Sequence, residues 1–148
     1  MKLKSIFLYM LVGLAAMWIF AAQLEREQSV DVVEDPVSLG RKVYISEGCI
    51  HCHSQYVRPV GKDQQLWGPT TSPMHALEQS PVLIGNRRQG PDLANAALRR
   101  PREWNRIHLI EPSAIVPGSR MPSYRHLFED GNPRGEALLA YLDSLKPE

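Results

Sequence analysis

Cys49-Ile50-His51-Cys52-His53 constrains this chain more than any other feature of it. C-x-x-C-H is the attachment pattern of c-type haem. Its two thiols add to the haem vinyl groups as thioethers, and two intervening residues let one turn of chain present both sulfurs to one porphyrin edge. The adjacent His53 then points an imidazole nitrogen at the iron. Such a cofactor matters for folding. The chain has 148 residues, of which 12 are proline and 10 glycine, so it should be rich in loops and poor in apolar core. A covalently held haem would serve as the missing core and would restrict the unfolded chain.

Blander chemistries compete with this one. A thioredoxin-like redox pair needs a surrounding βαβ pattern, which is absent. A disulfide between Cys49 and Cys52, the only cysteines, would close a tiny loop and stabilise little. Zinc could recruit both cysteines with two of His51, His53, His75, His108 and His126. Export of the domain favours haem over zinc, because c-type haem is attached outside the cytoplasm.

The case for export lies at the N-terminus. Ser5 to Ala22 carries no charge, and as a helix it would span about 27 Å, near the lower limit for crossing a bilayer. Lys2 and Lys4 precede it and acidic residues follow. That asymmetry predicts a single transmembrane anchor with the remainder on the outer face of the cytoplasmic membrane. A cleaved signal peptide is the competing reading. The formal net charge is +1 and no basic stripe is present, so nucleic acid is not an expected partner.

Three segments follow: an anchor over 1–24, a linker over 25–35 and a haem domain over 36–148. Asp35-Pro36 predicts a helix start, capped by Asp35, with Val37, Gly40, Val43 and Tyr44 on its buried face. The stretch 54–90 reads as irregular, apart from a short helix near 74–79. Pro101 to Ile110 predicts a further helix with Trp104, Ile107 and His108 on one side. Residues 112–123 again read as irregular. Asn132-Pro133 then begins a last helix, with Leu138, Tyr141, Leu142 and Leu145 spaced to share a face.

An iron held by His53 needs a second ligand. Beyond the haem motif the methionines are Met74 and Met121. Met121 sits in a proline-bracketed loop, Pro117 to Pro122, stiff enough to present a thioether, and is the expected ligand. His75, His108 and His126 are fallbacks. His/Met ligation raises the reduction potential and closes the iron to exogenous ligands, which suits electron transfer.

Gly40-x-x-Val43-Tyr44 before the haem motif, Gly90-Pro91-Asp92-Leu93, Met121-Pro122 and Leu139-Ala140-Tyr141-Leu142 resemble class I cytochromes c. The resemblance implies an all-α domain with long loops, in which the first and last helices cross beside the haem. It also implies that the Pro91 carbonyl accepts a hydrogen bond from His53. A narrower resemblance runs through Tyr44 to Pro59, Arg88 to Ala94, Trp104-x-x-x-His108-Leu109-x-x-Pro112 and Pro117-x-Ser119-x-Met121-Pro122-x-Tyr124. These blocks are similar to the mono-haem subunit II of cbb-type, C-family haem–copper oxidases. Asn105 departs from that family, where a histidine is usual.

This resemblance implies one covalent haem c held by Cys49 and Cys52, with His53 and Met121 on the iron. Arg58 and Arg88 become candidates for the haem propionates. The implied partner is the multi-span catalytic subunit of the oxidase, with further cytochrome c subunits as donors, and the 54–90 segment would lie against that partner. On this reading the chain transfers electrons and is not itself the oxygen-reducing centre. A nitric oxide reductase subunit, a free tethered carrier and a gas or redox sensor are the rival functions.

Overall fold

Asp35 and Pro36 start the helix that organises the molecule. The structure, a computed structural model, describes residues 3–28, 34–85 and 87–147; in the first stretch, side chains are described at 5, 6 and 8–23. The described residues hold eight α-helices, two 3₁₀ turns and no strand. The chain divides into two units, Met1–Val33 and Glu34–Glu148.

The first unit contains helix α1, Leu3–Gln28. It shows apolar side chains on every face: Tyr9, Met10, Leu14, Trp18 and Phe20 are all exposed. The expected transmembrane helix is nevertheless overturned, since no helix among the described residues is long and apolar enough to cross a membrane. A span needs about 20 consecutive, predominantly apolar residues to cross a hydrocarbon core of roughly 30 Å. Of the expected linker, 25–35, residues 25–28 belong to α1 and residues 29–33 lie outside the described residues.

In the second unit, α2 (Pro36–Ser46) begins where Asp35 accepts a hydrogen bond from the Ser38 amide at 3.0 Å. Proline at the first helical position loses nothing there, because that amide has no partner within the helix. Gly40, Val43 and Tyr44 form the buried face. They pack on the last helix, α8 (Arg134–Ser144), which buries Leu138, Leu139, Tyr141 and Leu142. The contact depends on Gly40. A Cβ there would overlap the Ala137 carbonyl and come within 2.7 Å of the Tyr141 Cβ. Tyr44 and Tyr141 meet with ring centroids 5.6 Å apart, tilted by 60°.

Between these helices the chain is mostly short turns. The segment expected to be irregular contains α3 (Gly61–Trp67), in addition to the short helix expected near 74–79, which is α4 (Pro73–Glu78). Helices α5 (Ala96–Arg99), α6 (Arg102–Ile110) and α7 (Pro112–Ile115) follow. The 3₁₀ turns cover Cys49–His51 and Arg125–Leu127. On α6 the buried residues are Asn105 and Leu109, whereas Ile107 is exposed, so the inward face is offset from the one expected.

Candidate haem site

Cys49, Cys52 and His53 line a cavity of about 610 Å³. That volume lies within the range of roughly 300–1,000 Å³ usual for cofactor sites. Cys49 and Cys52 both line it and carry free thiols. Burial, with help from the Glu47 charge, pushes the Cys49 thiol up to about 11, so it is protonated at neutral pH.

His53 also lines the cavity, and its Nδ1 lies 2.8 Å from the Pro91 carbonyl oxygen. Nδ1–H donates to that oxygen, which leaves the Nε2 lone pair free for a metal. Burial is the main cause that lowers the His53 pKa, so the ring is kept in the neutral, ligating form. The fit against Gly90 is close: a Cβ on Gly90 would lie 2.7 Å from Nδ1. Only glycine admits the ring there.

Met121 reaches the same cavity and packs against the hydrophobic core, whereas Met74 is 66% exposed on α4 and does not line it. The two methionines are therefore separated by placement. Among the histidines held in reserve, His108 lines the cavity and stacks on Trp104, with centroids 4.7 Å apart and ring planes 25° apart. His126 lies on the other side of the α2 end, 3.3 Å from Glu47, and His75 lines a different cavity. Among the described residues, no group of three or more His, Cys, Asp or Glu is placed to hold a metal ion by itself.

Arg58 and Arg88 are brought together, but by Asp63. Arg58 donates to the two Asp63 oxygens at 2.7 and 2.9 Å, and Arg88 donates to the same carboxylate. Neither arginine lines the cavity. The arginines that do are Arg99, Arg100 and Arg120. Arg99 donates to the Asp92 carbonyl, yet its Nε is buried without a partner. Asn105, 8% exposed, is also on this wall with an unpaired Nδ2. Buried donors left without acceptors are costly, so an occupant should supply acceptors here. The two carboxylates of a haem do so, and its apolar ring suits Tyr44, Leu109, Leu138 and Leu142 on the opposite lining. The residues therefore fit the group.

Residues 3–138 match the family described as cytochrome C oxidase, mono-heme subunit/FixO. The chain belongs to the FixO family. No curated protein matches the chain. As a member of FixO, the protein is a mono-haem subunit of a cytochrome c oxidase.

For this FixO chain, sequence reasoning missed Asp63, Arg99 and the burial of Asn105. Asp63 sits in a segment with no regular apolar spacing, so nothing local marked it as buried. The Gly90-Pro91-Asp92 run did carry a signal for Arg99: it precedes a cation by one short turn. Which arginine faces the cavity, however, depends on how that turn folds.

Proposed function

We propose that the chain carries one covalent haem c and passes single electrons to the catalytic, multi-span haem–copper subunit of a terminal oxidase. The observation that carries this reading is the convergence of Cys49, Cys52, His53 and Met121 on one cavity. Cys49 and Cys52 would hold the porphyrin edge through thioethers, and His53 and Met121 would both ligate its iron, which would disfavour reaction with oxygen at this centre. Bound there, the haem supplies a one-electron iron couple. The chain's own residues orient and shield it. The Pro91 carbonyl fixes the His53 ring, Trp104 and Leu138 exclude water, and Arg99 holds a propionate through its unpaired Nε. Arg58 and Arg88, the other candidates for that role, are engaged by Asp63, which favours Arg99.

Support for a protein partner comes from the segment between the haem motif and Gly90. Val60, Leu66, Met74, Leu77, Val82 and Ile84 all leave apolar side chains exposed there. Exposed apolar side chains concentrated in one segment are compatible with a protein contact there. Membership of an oxidase subunit family supports the membrane-embedded catalytic subunit as its occupant, with the haem domain on the outer face of the cytoplasmic membrane. The electrons would arrive from further cytochrome c subunits or donors.

Purification from membranes with partners retained tests this directly. The expected product is one haem that survives acid-acetone extraction, together with a multi-span haem–copper subunit. In the Cys49→Ala, Cys52→Ala double variant the chain should lose its covalent haem. A colourless wild-type protein would sink the proposal.

A further inference from the structure

We propose that Asp63 and Arg88 form a positioning clamp that fixes the Pro91 carbonyl against His53 and so sets how strongly that imidazole donates to iron. The inference rests on the haem reading above and extends it to residues that do not touch the cofactor.

Pro91 has no N–H to anchor it, and it borders the haem cavity instead of the packed core. Its carbonyl is already engaged by His53. The position of that carbonyl is therefore inherited from its two neighbours. On one side, the Gly90 amide donates to the Cys52 carbonyl at 3.0 Å. On the other, Asp92 is fully buried, and its carboxylate accepts from the Tyr56 and Ala94 amides at 3.1 and 3.0 Å.

Arg88 ties this strap to the rest of the domain. One of its nitrogens donates to the Tyr56 carbonyl and lies 3.3 Å from the Asp92 carboxylate. The other donates to Asp63, which is 2% exposed. Its guanidinium also lies 4.9 Å from the centre of the Trp67 ring, and Trp67 lines the haem cavity. Asp63 is held in turn by both donors of Arg58. Two arginines and two aspartates thus form a neutral group in which both buried carboxylates are paired, the condition under which buried charge is tolerated. Only a planar fork makes these several contacts at once, so lysine cannot replace Arg88.

The consequence for the iron follows from the hydrogen bond at His53. A ring that donates strongly through Nδ1 is a more basic ligand and stabilises the ferric state. Loosening the clamp lets the Pro91 carbonyl drift, weakens that bond and raises the midpoint potential.

The test uses the full-length, haem-loaded protein. Asp63→Asn keeps the shape and removes the charge; Arg88→Lys keeps the charge and removes the fork. Each is measured for midpoint potential and for solvent exchange of the His53 Nδ1 proton by NMR in the ferrous state. Both variants should show a positive shift in potential and faster exchange, with Asp63→Glu restoring part of each. If Asp63→Asn fails to fold, Arg88→Lys decides alone. A folded variant that keeps the wild-type potential and exchange rate overturns the clamp, even if its stability falls. Wild-type protein without covalent haem would instead overturn the haem reading, so the two failures are distinguishable.

Discussion

At the scale of single residues, the surroundings of His53 and Met121 are what suit them to the ligand roles proposed for them. Burial keeps the His53 ring neutral, and the Pro91 carbonyl decides which nitrogen holds the proton. Met121 is selected over Met74 because it alone reaches the cavity. Met121→Ala should therefore lower the reduction potential and open the iron to carbon monoxide in the reduced state, whereas Met74→Ala should change neither. Absorption spectra and redox titration of the two variants check this; an unaltered Met121→Ala spectrum would reassign the ligand.

Elements succeed or fail here by how closely they approach. Helices α2 and α8 meet backbone to backbone at Gly40, against the Ala137 carbonyl, with no room for a methyl group. Gly40→Ala must push the pair apart or distort α2. The expected cost is about 1–3 kcal/mol, the usual range for overpacking a core. It should appear as a lower urea midpoint with little change in slope. A methyl group at Gly13 in α1 would meet nothing within 4 Å, so Gly13→Ala carries none of the overpacking cost of Gly40→Ala. Helix α6 is tied to α8 by ion pairs from Arg102 and Arg106 to Glu136. Those groups are substantially exposed, so they add little beside the apolar contact.

For the molecule as a whole, stability should depend on pH through Asp63. Hydrogen bonds from Arg58, and then from Arg88, hold its carboxyl well below the usual carboxylate range, against the opposing push of burial. The unfolded chain has the ordinary value of about 3.9. A carboxylate depressed in the folded state contributes stability that is fully present above the unfolded value and is lost as pH falls toward the folded one. Wild-type protein should therefore exceed Asp63→Asn in stability at pH 7. The gap should narrow progressively below about pH 4. Urea unfolding of both proteins from pH 7 to pH 3 measures it, and a gap that stays constant across that range would show that the Asp63 charge is not the cause.

Much of this protein was written locally. The haem motif, the Asp35 cap, the start of α2 and the apolar spacing of α8 depend on residues within a turn or two of each other, and such signals survive in a linear string. The apolar N-terminal run was legible too, but its charge-free length alone pointed to a membrane span that the helix does not meet. Tertiary structure decided what depends on distant partners. Arg58 and Arg88 look like free cations in the sequence; Asp63 stands five positions beyond Arg58, but only the fold brings Arg88 to the same carboxylate. Likewise, only the fold leaves the Arg99 Nε and the Asn105 amide unpaired on the cavity wall. Side-chain charge is a property of the residue, but a partner that neutralises it can come from a chain segment 25 positions away, as for Arg88 and Asp63.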